Sequence, residues 1–268
     1  MSKGKKIFKY VFLTIVSLIS VFPLYWMACA ATNASVDVIR GKLIPGTYVI
    51  ENFKKLIASQ NLAAALTNSF KYSIILTLVS LFVCSLAGYG FEIYHDKGKD
   101  IVMNIILLAM MVPFAATMIP LFQMFSKAKL LNTTMGFILP TISTPFLIMM
   151  FRQSSRSFPH EIIEAARIDG LSEFGIFCRM FFPTMRSTYA AAMTITFMNA
   201  WNNYLWPKVI MTNNDTLTMP MLVANMIEGY VTDYGMLMLG VFICTIPTVI
   251  IFFILQKSFA EGITGAVK

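Results

Sequence analysis

Side chains suited to acid–base, nucleophilic or metal chemistry are sparse and scattered in this sequence. Cys29, Cys84, Cys178 and Cys244 lie far apart with no C-x-x-C. A zinc site or redox pair is therefore not indicated, and the four read as small packing residues. His95 and His160 fall in polar connecting segments and read as solvated surface residues. No cluster of His, Asp, Glu or Ser–Lys groups of the kind a membrane enzyme needs is present. No G-x-x-x-x-G-K-S/T string exists to cradle nucleotide phosphates. The reading is no catalytic residue, no metal ligand and no cofactor bound by this chain. Two groups remain. Asn199, Trp201, Asn202, Asn203 and Trp206 combine indole faces, which cover C–H patches, with amides, which bond hydroxyls. Trp and Tyr also gather as anchors at membrane interfaces, so this group suits either role.

The second group is Phe158–Pro183, F-P-H-E-I-I-E-A-A-R-I-D-G-L-S-E-F-G-I-F-C-R-M-F-F-P. Pro159 suits a first helical turn, where Glu161 and Glu164 meet the positive end of the helix dipole. Glu164 and Arg167 are spaced for an i,i+3 pair. Gly170 suits the position after the last turn. Ser172 can cap a second helix, with Phe174, Phe177, Cys178 and Phe181 as its apolar face, and Pro183 should stop it. The expectation is two short helices joined at Gly170. Ala165 and Ala166 would leave a small-residue surface that another protein can approach closely. Physics alone leaves a docking element and an amphipathic loop lying on a bilayer equally open.

The elements that must position these groups are strongly apolar. Of 268 residues, 57% are hydrophobic and 13% charged, against about 25% charged in a soluble domain. Six stretches of twenty or more residues lack Asp, Glu, Lys and Arg: 10–36, 72–91, 101–126, 130–151, 187–207 and 234–256. About 20 apolar residues cross the hydrocarbon core, and these stretches show no polar stripe of a soluble helix. The fold class is all-α, a polytopic membrane protein with six transmembrane helices. Its spans are about 10–31, 70–91, 101–125, 136–151, 187–209 and 235–256 in a single domain 1–268, with a long inner loop 152–186. With the N-terminus inside, inner segments hold thirteen Lys and Arg and outer segments eight. That agrees with the positive-inside rule and puts both termini in the cytoplasm. The net charge of +8 is then a topology signal, and no basic face with interleaved aromatics suggests nucleic acid.

Lys3, Lys5, Lys6 and Lys9 before an apolar run, with Ala28-Cys29-Ala30 beyond, have the look of a signal peptide. The run is long for one, and Pro23 and Trp26 fit an uncleaved first span better. In the first outer segment Val49, Phe53, Leu56 and Ile57 recur at helical spacing, suiting a helix at the interface or one packed on loops. No Asp, Glu, Lys or Arg lies inside the six apolar stretches, so no ion-coupling machinery is evident.

The string E-A-A-R-I-D-G at Glu164–Gly170, with F-F-P ending at Pro183, resembles the E-A-A motif of ATP-binding-cassette importer permeases. Asn68-Ser69, Ala87-Gly88-Tyr89-Gly90, Met111-Val112-Pro113, Ile119-Pro120-Leu121, Leu131-Asn132-Thr133, Ala200–Pro207 and the ending Gly262–Lys268 extend the likeness over nearly the whole chain. It is similar to the smaller permease subunit of the maltose-transporter type. The resemblance implies an importer-permease fold in the cell membrane of a prokaryote. It also implies a homologous second permease, an ATPase dimer that holds ATP and magnesium, and an extracytoplasmic sugar-binding protein. Glu164, Ala165, Ala166, Asp169 and Gly170 would dock the ATPase as a coupling helix. Asn213, Asn214 and Asp215 would touch the binding protein, and Asn199, Trp201, Asn202, Asn203 and Trp206 would lie near the substrate path. The hairpin Glu92–Asp100 departs from the family's basic pattern, with Glu92, Asp96 and Asp100.

Overall fold

The computed structural model describes residues 3–228 and 231–265. Among them every regular element is helical. In chain order the α-helices are α1 Lys3–Ala31, α2 Ser35–Ile39, α3 Val49–Ser59, α4 Leu62–Ile93, α5 Lys97–Ala109, α6 Phe114–Lys127, α7 Thr134–Ile138, α8 Pro145–Ser155 and α9 His160–Ile168. After these come α10 Glu173–Ile176, α11 Phe182–Thr184, α12 Arg186–Trp201, α13 Leu205–Ile210, α14 Met219–Asn225 and α15 Tyr234–Gly265. A π-helical turn, Phe177–Phe181, joins α10 to α11.

Among the described residues α1, α4 and α15 are each long and apolar enough to cross a membrane, and the number rises to five if each of two bent pairs is one span. The expected third stretch is broken into α5 and α6, bent by 97°. Proline has no N–H to continue a helix and pushes the residue before it out of the α region. Pro113 stands extended at the N-cap of α6, outside both helices. The fourth stretch breaks the same way, 55° between Thr134–Thr141 and α8, with Thr144 extended ahead of Pro145. Pro23, Pro120 and Pro247 lie inside unbroken helices. The fifth stretch is a 16-residue α12, mostly buried, followed by α13 after a break at Asn202–Tyr204.

The chain divides into two compact units. The first is Met1–Leu62 with Met221–Pro247. In it, α1 turns large apolar side chains outward, Phe8 being 74% exposed, as suits a helix whose solvent is hydrocarbon. Its last carbonyls would lack partners. The buried Asn52 amide donates to the carbonyls of Ala31 and Asn33 at 3.0 Å each, and the buried Asn33 amide donates to Cys29 at 2.9 Å and Ile44 at 3.0 Å. On α3 the buried face is Asn52 and Leu56, while Val49, Phe53 and Ile57 stay exposed.

The second unit is Ala63–Pro220 with Thr248–Lys268. Its core runs through Leu81, Cys84 and Tyr89 of α4, Leu147, Ile148 and Phe151 of α8, and Ile163, Phe177, Phe181 and Tyr189 further on. Helices α4 and α8 meet at Gly88, where an added Cβ would stand 2.6 Å from the Phe151 Cβ and 2.7 Å from the Arg152 backbone nitrogen. Gly88→Val should cost about 1–3 kcal/mol of stability by overpacking. A lower melting temperature of the detergent-solubilised protein checks this, and an unchanged one would refute the close contact.

Candidate functional site: the E-A-A segment and the hollow beside α12

The segment after α8 is built from local rules. Pro159 is extended and sets up α9, and Asp169 closes it. Gly170 has φ +78°, a left-handed conformation glycine adopts without a Cβ clash. The Gly170 N–H donates to Arg167 O and the Leu171 N–H to Ala166 O, both at 3.0 Å. These are the two bonds of a Schellman closure, and they satisfy the carbonyls α9 would otherwise leave open. The Ser172 hydroxyl then accepts from the Gly175 N–H at 3.2 Å and caps α10.

One carboxylate ties the two helices. Arg167 does not pair with Glu164. Its Nε and Nη2 donate to the two oxygens of Glu173 at 2.7 and 3.2 Å, a bidentate geometry. The turn at Gly170 brings Glu173 over the end of α9, where an i,i+3 partner could offer only a splayed contact. The Tyr94 hydroxyl, just past α4, donates to the same Glu173 carboxylate. Arg167 first, then Tyr94, hold the Glu173 carboxyl below its ordinary value, and Glu173 raises that of Arg167.

Beneath lies an aromatic floor. Tyr89 meets Phe181 at 4.8 Å and Phe177 at 5.4 Å between ring centroids, and Phe158 meets Phe181 at 5.6 Å. The buried face of α9 is Ile163 and Ala166. Ala166 therefore packs inward and does not share the small-residue surface expected with Ala165. Glu164, Ala165, Asp169 and Gly170 are exposed, and Ile168 is 86% exposed. The expected face Phe174–Phe177–Cys178–Phe181 is also revised: Phe177 and Phe181 are buried, while Phe174 and Cys178 are exposed. The π-turn spreads residues over more than the α period, which rotates that stripe. Pro183 does not stop the helix, which runs on to Thr184 and breaks at Met185.

The acidic hairpin after α4 finds its partner in Arg152 of α8. Arg152 is 5% exposed. It donates from Nε to Glu92 at 3.1 Å and from Nη2 to Asp100 at 2.6 Å. Arg156 approaches Glu92 at 3.5 Å and His95 meets Asp100 at 2.9 Å. Arg152, followed by desolvation and His95 in smaller measure, sets the Asp100 carboxyl, which ends below its usual value. Glu92 and Asp100 are thus the neutralising groups of a buried cation. Positions this far apart in sequence carry no periodic signal, which is why the pairing was not legible.

Of the residues expected along the path, the structure brings Asn199 and Asn203 to one cavity with Thr141, Thr144 and Thr196. Asn202 joins Asn199, Asn203 and Tyr204 around a second, more open hollow. Trp201 and Trp206 are both buried to within 1%. Trp201 packs on Phe70 at 4.8 Å and Phe197 at 5.8 Å. The Trp206 indole N–H donates to Gly136 O at 3.0 Å, with Phe125 against its ring. They brace the wall, as large aromatics with a satisfied N–H do. Asn213, Asn214 and Asp215 are exposed on one loop. Asn132, at φ +57°, pins that loop. Its Oδ1 accepts from the N–H groups of Thr212 at 2.7 Å and Asn213 at 3.0 Å. The Asn68 amide donates to Asp215 O at 2.7 Å and Leu217 O at 3.1 Å.

A platform with a packed floor and an exposed outer face can transmit force. The chain matches the family described as the binding-protein-dependent transport system inner membrane component over residues 85–265. It belongs to that family and is a membrane transport subunit. It is 43% identical over 262 residues to the lactose transport system permease protein of Rhizobium radiobacter, covering 98% of this chain and 96% of that one. An arabinooligosaccharides transport system permease protein of Halalkalibacterium halodurans is 35% identical, over 94% of this chain and 93% of its own. The sn-glycerol-3-phosphate transport system permease protein of Escherichia coli is 30% identical, over 98% and 97%. In fold, the chain is like one in the crystal structure of a bacterial ABC transporter involved in the import of the acidic polysaccharide alginate. The TM-score is 0.82 at 21% identity, covering 96% of this chain and 98% of that one.

Because the Glu173 carboxyl is depressed, its tie is present above the ordinary carboxylate range and is lost only as pH falls through the lowered value. Protection factors for residues 165–176, from hydrogen exchange on the membrane-embedded protein, should be equal at about pH 8 and about pH 5 and fall only below about pH 4. Loss between about pH 7 and about pH 6 would contradict the assignment.

Proposed function

We propose that this chain is the permease subunit of an ATP-driven carbohydrate importer, coupled to a separate ATPase through the segment 152–186. It would form the translocation path with a homologous second permease. A sugar-binding protein would meet the loop at Asn213–Asp215, and both termini would lie in the cytoplasm. The six spans expected from sequence belong to this proposal, with each bent pair counted as one and α12 with α13 as another.

The observation that carries the coupling role is the α9 outer face. Glu164, Ala165, Ile168 and Asp169 are exposed, on a helix that Gly170, Glu173 and the aromatic floor keep from moving alone. An exposed isoleucine beside an alanine is an apolar contact for a partner cleft. ATP binding in the partner would favour one state of the spans through contacts made only in that state. Carbohydrate is supported by the names of two relatives, lactose and arabinooligosaccharides, and by amides beside the hollow. A third relative's name is a glycerol phosphate, which keeps another polar solute as the alternative.

Gly170→Pro cannot adopt φ +78°, since proline holds φ near about −65°. Glu164→Lys reverses the charge of the docking face. Both variants should insert normally yet lose ATP-dependent uptake in reconstituted vesicles. Normal uptake in both would overturn the coupling assignment.

A further inference from the structure

Helix α3 carries three faces, and packing and charge within the chain explain only two of them. At about 100° of rotation per residue, Asn52 and Leu56 share the buried face. Glu51 and Lys55 share a charged face and meet at 3.3 Å. Between these, Val49, Ile50, Phe53 and Ile57 fill a sector about 100° wide. All four are exposed, Ile50 at 66% and Phe53 at 44%. Lys54 stands at the border of this strip with the charged face and is exposed too. So continuous an apolar strip on a helix of 11 residues is unfavourable in water and marks a contact surface.

The bonds that hold α3 point to what covers the strip. The Asn52 amide donates to the carbonyls of Ala31 and Asn33 at 3.0 Å each, which fixes α3 at the C-terminal end of α1. On the charged face, Lys55 donates to Asp233 at 3.0 Å. The other oxygen of Asp233 accepts from the N–H groups of Gly235 and Met236 at 3.1 and 3.2 Å. That fixes α3 equally to the N-terminal end of α15. Both helices are long and apolar enough to cross a membrane, so α3 lies where two spans leave the hydrocarbon. Tyr25 near the end of α1, Tyr48 before α3 and Tyr234 at the start of α15 are all exposed there, and tyrosine gathers where headgroups meet acyl chains. The Tyr25 hydroxyl donates to Leu43 O at 2.9 Å, which holds the loop into α3 at the same depth. An amphipathic helix at that depth buries its apolar side about 5–10 Å into the headgroup–acyl boundary. A lysine at the border, as Lys54 is, lays its stem on the apolar side and reaches a phosphate. We propose that α3 is an interfacial anchor whose Ile50–Phe53–Ile57 strip is seated in membrane phospholipid. Through Asn52 and Lys55 it sets the depth at which α1 ends and α15 begins.

The proposal depends on α1 and α15 crossing the membrane and not on what the chain transports, so it can fail while the importer reading stands. The test is photo-crosslinking of the full chain in its native membrane, where every protein partner is also present. The photoreactive residue p-benzoylphenylalanine replaces Ile50, Phe53 or Ala58, one position at a time, Ala58 being the control exposed on the charged side. Irradiation should give phospholipid adducts at positions 50 and 53, read by mass spectrometry of the α3 peptide, at least about 5-fold above those at 58. A crosslink from position 53 to another protein, or lipid adducts no more frequent at 50 and 53 than at 58, overturns the anchor. Depth is read with Phe53→Trp in the complex reconstituted into phosphatidylethanolamine–phosphatidylglycerol vesicles. Relative to the unsubstituted chain, the added emission should be quenched more by phospholipid brominated near the headgroup than by phospholipid brominated at the chain end. Equal quenching by the two, or none, overturns the assigned depth.

Discussion

A backbone that breaks its helices in or near a bilayer must supply partners for the exposed N–H and C=O groups from within the protein. The rest of this structure follows from that constraint. It is met chiefly with neutral amides. Asn33 and Asn52 close the end of α1, and Asn132 and Asn68 carry the backbone of the 212–217 loop. The Trp206 indole takes the Gly136 carbonyl. Amides can satisfy a broken helix without the desolvation cost of a buried charge. Breaks can therefore occur at Pro113, Thr144 and Asn202 without ionisable residues in the apolar stretches.

Within the second unit several charged side chains work as a set of ties. Arg152 fastens α8 to the hairpin through Glu92 and Asp100. Arg167, Glu173 and Tyr94 fasten α9 and α10 to the end of α4. Between them, Gly88 lets α4 and α8 approach to contact, and Tyr89 lays its ring under Phe177 and Phe181. The α9 segment is thus linked to α4 and α8 through packed rings and paired charges. Such contiguous packing is what a coupling element needs.

Much of this was legible because it is local. The apolar stretches, Gly170 as a helix stop and Ser172 as a cap depend on residues a few positions apart. Asn199, Asn202 and Asn203, expected near a substrate path, stand beside hollows in the fold. What escaped depends on the fold. Pro113 breaks its stretch while Pro120 sits inside α6, and the sequence marks them alike. Arg167 prefers Glu173 over Glu164 because a left-handed glycine redirects the chain, a geometry that helical spacing does not encode. Trp201 and Trp206 looked suited to a solute, yet their wall packing is set by Phe70, Phe125 and Gly136, remote in sequence.

The most direct test is to isolate this chain in mild detergent from its native membrane and identify what copurifies. The account predicts an ATP-binding-cassette ATPase, a second permease homologous to this one, and a sugar-binding protein. Recovery of the chain alone, or as a homo-oligomer without an ATPase, would contradict it and leave the exposed face of α9 without the partner its geometry calls for.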